Sequence, residues 1–277
     1  MRYSFSGHES FPCKTLWLKK GVDFIDQGYS FNSEDAVATL GVGKNMVSAI
    51  RYWLKAFGLS ENDELTELAK YLFLPTKEAD PYAEDISTLW LLHYTLVRKN
   101  VASLYSLLFT EFQREKKEFD KEQLNLFVKR KCQTPEQKSA YNENTVRKDI
   151  RVLLQNYVMP TNKNSIEDFS ALLISLNLIQ ENKDKYVFSE MNKDSICPDI
   201  IMYALIDIKG EDMTLSLDTL QELSLIFCLP INELISIIKT LEQWYQGVLT
   251  YTDNSGIKNV QFLKEIDKYK ILDRYYE

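Results

Sequence analysis

Residues 44–57 constrain this chain more than any other stretch. Met46, Val47, Ile50, Trp53, Leu54 and Phe57 recur at intervals of three and four, the spacing that lines one face of an α-helix with apolar side chains. Lys44, Asn45, Ser48, Arg51 and Lys55 fall mainly on the opposite face. Gly58 ends the run, and Gly41-Val42-Gly43 precedes it as a tight turn. Before that turn, Ser33 offers an N-cap to a short helix over 34–40, with acids in its first turn, where they favour the helix dipole. Two helices joined by a short glycine-containing turn follow the helix-turn-helix plan. Polar and basic residues at the start of the second helix are what a reader of the major groove needs. A polar ENDE turn and a helical stretch over 67–73 follow, so residues 33–74 read as a helix-turn-helix with a very short wing.

The rest of the chain repeats that plan without repeating the sequence. Trp17-Leu18-Lys19-Lys20-Gly21 reads as a helix end with a glycine cap, followed by one more turn over 22–27. Pro81 marks a boundary, because the residue before proline is biased away from helix. Helices are expected over 84–100, 102–118 and 120–131. A second helix-turn-helix candidate places a turn at 141–144 and a helix at 145–157. There Val146, Ile150, Leu153 and Leu154 face inward, and Thr145, Arg147, Lys148 and Arg151 outward. A helical stretch over 169–176 leads to a hairpin pairing 178–180 with 185–188. The last module has helices over 199–208, 216–226 and 231–245, then a hairpin turning through Asp253-Asn254-Ser255-Gly256. Its long helix directs Leu234, Ile237, Ile238, Leu241 and Trp244 inward. The outward Asn232, Glu233, Ser236, Lys239, Glu242 and Gln243 are nearly neutral, a poor surface for phosphate. The expected fold is mainly α with small β-hairpins, built of tandem winged helix-turn-helix-like modules: 1–79, 80–195 and 196–277. Nine glycines and seven prolines are too few for an all-β chain of this length.

A net charge of −7 argues against nucleic acid until its distribution is read. Residues 1–60 carry 7 basic and 5 acidic side chains, and 114–151 carry 11 and 7. These two basic stretches hold the two recognition-helix candidates. Residues 161–277, with 11 basic and 19 acidic, read as a partner-facing or spacer region, and the C-terminal module 196–277 is expected to bind a protein partner or serve as a dimer surface. Cys13, Cys132, Cys197 and Cys228 form no C-x-x-C pair, and there are two histidines, so no structural zinc is expected. His8-Glu9 resembles half of a metal or acid–base pair, but a structural His8 that holds the N-terminal loop is the expectation. Gly41-Val42-Gly43-Lys44 lacks the spacing of a phosphate loop. No apolar leader and no run long enough to span a membrane occur, so a cytoplasmic location is expected.

Two motifs carry a resemblance. FSGHESFPCKTLWLKKG at the start and LGVGKNMVSAIRYWLKAFGL at 40–59 resemble a bacterial family of unknown function catalogued as domain family 4007. Members of that family lie in gene clusters with sulfotransfer enzymes resembling PAPS reductase, clusters that look like DNA phosphorothioation and anti-phage systems. The resemblance implies a role near DNA modification or defence. It brings no established catalytic or binding residues. Cys13 stands where relatives are expected to carry an ordinary apolar residue.

The expectation is therefore a non-enzymatic DNA-binding factor without cofactor. Lys44, Asn45, Ser48, Arg51 and Lys55 would contact duplex DNA, helped by Thr145, Arg147, Lys148 and Arg151. Lys and Arg would mostly hold phosphates, and Asn45 or Arg51 could reach a base edge. The alternative is an adaptor that uses the same folds to dock a modification enzyme or ATPase, since winged helices also bind protein.

Overall fold

The computed structural model describes residues 2–160, 170–189, 195–254 and 257–277. The expected helical start at Phe169 and the hairpin-turn residues Ser255 and Gly256 lie outside them. The chain is mainly α-helical with small antiparallel sheets. It forms two compact units, Met1–Ser189 and Glu190–Glu277, so residues 1–79 share a unit with the helical region that follows. Among the described residues no single helix is long and apolar enough to cross a membrane.

Unit 1 opens with α1 (Trp17–Asp26), α2 (Ala36–Leu40) and α3 (Lys44–Ala56). The helix end expected at Gly21 is absent: Gly21 is buried inside α1. A Cβ there would come within 2.7 Å of Leu54 and 2.8 Å of Ile50, so glycine lets α1 and α3 approach closely. The second helix starts at Ala36 rather than 34, because Ser33 Oγ and carbonyl accept from Asp35 and Ala36 in a turn. Gly41 closes α2 in the left-handed region at φ 64°. After α3, β1 (Ser60–Glu61) and β2 (Glu64–Leu65) form a minimal hairpin. Its turn residues Asn62 and Asp63 both have positive φ, the backbone of a type I′ turn. Next come α4 (Glu67–Phe73), capped by Thr66, and α5 (Ile86–Lys99), capped by Asp85.

The single helix expected over 102–118 is broken up. It comprises α6 (Ser103–Ser106), a π-helical stretch Leu107–Phe112, α7 (Gln113–Glu115) and then β3 (Glu118–Phe119). A capping box of Asp120 and Gln123 starts α8 (Lys121–Lys131), and Asn142 caps α9 (Glu143–Tyr157). The expected hairpin exists as β4 (Ile179–Asn182) and β5 (Lys185–Phe188), but β3 adds to β5 and makes three strands. That register pairs Phe119 with Tyr186 and sets the Phe119 ring 5.3 Å from Phe188. Aromatic pairing on one face of a sheet stabilises it. The centre of the unit holds Trp53, Trp90, Tyr94, Phe109 and Tyr157, all nearly inaccessible.

Unit 2 comprises α10 (Pro198–Lys209), β6 (Thr214–Ser216), α11 (Leu217–Ile226), α12 (Ile231–Trp244), β7 (Leu249–Asn254), β8 (Ile257–Phe262) and α13 (Lys268–Tyr276). Strands β6, β8 and β7 make its sheet. Leu234, Ile238 and Leu241 are buried as expected, but Trp244 is 47% exposed. The Arg274 guanidinium of α13 lies over its ring, 4.3 Å from the centroid. A C-terminal helix supplies a cation for that face, which sequence periodicity within one helix does not reveal.

Candidate nucleic-acid interface

The N-terminal motif FSGHESFPC is the joint of unit 1. His8 is buried, stacked parallel to Trp53 of α3 with ring centroids 6.0 Å apart. Its Nδ1 accepts from the Ser10 amide at 3.1 Å, and its Nε2 lies 3.0 Å from Asp149 Oδ1 on α9. An acceptor at Nδ1 places the ring proton on Nε2, pointing at the carboxylate. The other carboxylate oxygen accepts from the Ser6 amide at 2.8 Å. Seven residues on, two turns along α9, Asn156 Oδ1 accepts from the Cys13 amide at 3.0 Å while its Nδ2 donates to the Tyr105 hydroxyl. Trp53 Nε1 donates to the Phe11 carbonyl at 3.1 Å. The loop thus ties α3 to α9 through hydrogen bonds in which the buried polar groups satisfy one another.

The same loop is held in an uncommon conformation. Ser6, Gly7, Glu9 and Ser10 all have positive φ. At Gly7, with φ 106°, a Cβ would sit 2.5 Å from the Tyr52 ring. Left-handed non-glycine residues cost free energy and persist where surrounding structure over-determines them, here through Asp149 and Trp53. Burial pushes the Cys13 thiol well above its usual range, which leaves it protonated and unreactive at neutral pH.

On α3, Lys44, Asn45, Ser48 and Lys55 are exposed. Lys44 and Lys55 meet no carboxylate among the described residues. Arg51 differs. It grips Asp63 of the β1–β2 turn with both ends of the guanidinium, at 2.8 and 2.5 Å, and donates to Asn32. The type I′ turn is what aims Asp63 at it. Ser48, Arg51, Tyr52 and Lys55 border a pocket of about 380 Å³ beside that hairpin.

On α9, Thr145 lies in the first turn, its amide bonded to the Asn142 cap. Arg147 is exposed but bridges Glu143 at 3.0 Å and Glu122 of α8 at 2.7 Å, and these hydrogen bonds raise its pKa. Lys148 and Arg151 are exposed and unpaired among the described residues. Arg151 borders a second pocket, of about 530 Å³, walled by Phe11 and Pro12 of the N-terminal loop, Met46 of α3, and Tyr186 of β5. The structure therefore brings Arg151 to the same cleft as the start of α3. It leaves Lys44, Lys55, Lys148 and Arg151 free to meet a ligand, and commits Arg51 and Arg147 to carboxylates.

Asp149 and Asn156 organise this region, and sequence reasoning passed over them. The signal was present: both lie on the apolar stripe of α9, Asp149 beside Val146 and Ile150, and Asn156 beside Leu153. A polar residue on a buried helical stripe announces a buried partner. Among the described residues no group of three His, Cys, Asp or Glu converges to hold a metal ion.

No curated protein matches this chain. Among solved structures it is similar to an SspB crystal structure, at 25% identity and TM-score 0.87, over 99% of this chain and 88% of that one. It is also similar in fold to a magnesium ion-bound SspB crystal structure, at 24% identity and TM-score 0.83, over 99% and 88% of the two chains. The model of the family described as protein of unknown function (DUF4007) matches residues 5–276, and the chain belongs to that family.

Proposed function

We propose that this protein is a DNA-binding factor of a bacterial DNA modification or anti-phage defence system. In this reading α2, the Gly41–Gly43 turn, α3 and the β1–β2 hairpin act as a winged helix-turn-helix, with α3 in the major groove. The observation that carries it is a set of exposed side chains on two helices joined by the His8–Asp149 contact: Lys44, Asn45, Ser48 and Lys55 on α3, Lys148 and Arg151 on α9. Unpaired cations on a preorganised frame hold phosphates at little ordering cost. Arg51 and Arg147 serve the frame more than the ligand. The family membership and the likeness to SspB support the defence setting named by the resemblance.

The test is fluorescence anisotropy of a labelled duplex across salt concentration. Binding should weaken steeply with salt, because each neutralised phosphate releases counterions. Lys44→Glu with Lys55→Glu should lower affinity and reduce the salt slope by about 2, roughly one for each phosphate no longer neutralised. Equal affinity for wild type and variant, or no binding at low salt, overturns the reading. The proposal assigns binding rather than turnover. Supercoiled plasmid incubated with the protein and magnesium ion should stay supercoiled, and relaxed or linear product would replace the non-enzymatic part.

The engagement of Arg51 and Arg147 by carboxylates favours one second reading, an adaptor that docks a modification enzyme or ATPase. No duplex binding at low salt, with a stable complex between purified partners from one defence gene cluster, would establish it instead.

A further inference from the structure

The pocket of about 530 Å³ beside α3 is not needed to hold an intact duplex. Its size falls within the range of small-molecule sites, roughly 300–1,000 Å³. Its chemistry is mixed in a particular way. Apolar and aromatic walls come from Phe11, Met46, Leu154 and Tyr186. Three cations, Lys14, Lys121 and Arg151, line it against one carboxylate, Glu181, and that carboxylate is engaged by the Tyr186 hydroxyl at 3.2 Å. Lys121 lies over the Tyr186 ring, 5.7 Å from its centroid. Flat apolar walls with positive charge suit an anionic aromatic ligand: a base to lie between side chains and a phosphate to meet the cations.

Position narrows the class. Met46 follows directly on Lys44 and Asn45, the first residues of α3, so the pocket lies beside the end of the helix proposed to enter the major groove. Its other wall is Ser10, Phe11 and Pro12, of which Ser10 has positive φ and ends the strained stretch that begins at Ser6. Backbone strain held by a dedicated buried network is a feature of ligand sites. We infer that this pocket receives a single nucleotide extruded from the duplex, its base among Phe11, Met46 and Tyr186 and its phosphate near Arg151. This rests on the proposed DNA binding. It adds that the DNA is opened at one position, at an unstacking cost of a few kcal/mol that an intact-duplex reader does not incur.

The probe is a set of duplexes carrying 2-aminopurine at successive positions, whose fluorescence is quenched in the stack and rises on extrusion. Anisotropy of a separate end label reports binding in the same samples. At saturation the wild type should raise the 2-aminopurine signal severalfold at one position and not at its neighbours. Gln155→Trp places a large ring at an exposed lining position and should abolish that rise in fully bound complex. Met159→Trp, at a lining position 55% exposed, gives the same readout should the first variant fail to fold. Saturated binding with no rise at any position overturns the inference and leaves the DNA reading standing. A rise that persists in folded, filled variants overturns the assignment to this pocket. No anisotropy change with any duplex overturns both.

Discussion

Helices α3 and α12 occupy equivalent places in their units. Each follows a turn with a left-handed residue, Gly41 at φ 64° and Cys228 at φ 50°, and each precedes an antiparallel hairpin. Each carries a tryptophan near its C-terminal end. Yet Trp53 is fully buried against His8, whereas Trp244 is 47% exposed under Arg274. The cations differ as well. In unit 2, Lys209 pairs with Glu265, Lys268 with Asp207 and Arg274 with Asp199. The recognition-helix positions differ too: on α3, Lys44 and Lys55 face solvent without a carboxylate among the described residues, whereas Lys239, the one lysine of α12, lies over the Tyr251 ring. A shared order of elements therefore does not make a shared function. Function follows from which charges the fold has already used.

The largest effect that could break this comparison lies at the two buried carboxylates. Asp149→Ala strands the His8 ring N–H and the Ser6 amide inside the protein, and should destabilise unit 1 by about 3 kcal/mol. Asp199→Ala removes the acceptor of Tyr245 and Arg274. Arg274 is 44% exposed at its side chain and can turn to water, so the loss in unit 2 should be nearer 1 kcal/mol. Hydrogen exchange, which reports each unit separately, checks both. Equal losses would remove the special standing of the N-terminal joint.

The next effect sharpens the contrast of the surfaces. Charge reversal at Lys44 and Lys55 should weaken duplex binding by roughly ten- to a hundredfold at low salt, about 1.4 kcal/mol per tenfold. Lys239→Glu on α12 should leave the anisotropy titration unchanged. A matching drop in affinity would show that the interface is the net charge rather than α3.

A smaller effect tests the packing that sets α3. Gly21→Ala gains about 1 kcal/mol of helix propensity but drives a methyl into Ile50 and Leu54, an overpacking cost of about 1–3 kcal/mol. The net should be a modest loss of stability, read as a lower urea midpoint. A gain would mean that α1 and α3 separate freely.

The smallest expected effect is alkaline and belongs to unit 2. Burial, with the hydrogen bond to Asp199, pushes the Tyr245 phenol up to about 12, against the opposing pull of Arg274. Because the folded phenol holds its proton more tightly than the unfolded one, its contribution is complete below the ordinary tyrosine value of about 10. It is lost as pH rises from there to about 12. Tyr245→Phe should flatten that part of the decline in stability measured by denaturant titration at stepped pH. An unchanged profile would place the buried phenols of unit 1, Tyr52 and Tyr105, in control of the alkaline limit.

The sequence by itself determined the elements whose cause is local. Periodic apolar residues set α3, α9 and α12, and Asn142 and Asp120 start their helices by offering a side-chain oxygen to a free amide. It determined also that α3 and α9 each carry three basic side chains. Only the tertiary structure decided which of those charges remain. Arg51 meets Asp63 because a hairpin turn has one particular hand. Arg147 meets Glu122 because α8 packs on α9, and β3 joins β5 from far along the chain. His8 finds Asp149 across 141 residues. Such pairings depend on distances through space, which a one-dimensional period does not encode. The two helices over 36–40 and 44–56 and the turn between them were therefore legible in the chain, while the pocket beside the start of the second and the joint that holds it became visible only once the chain was folded.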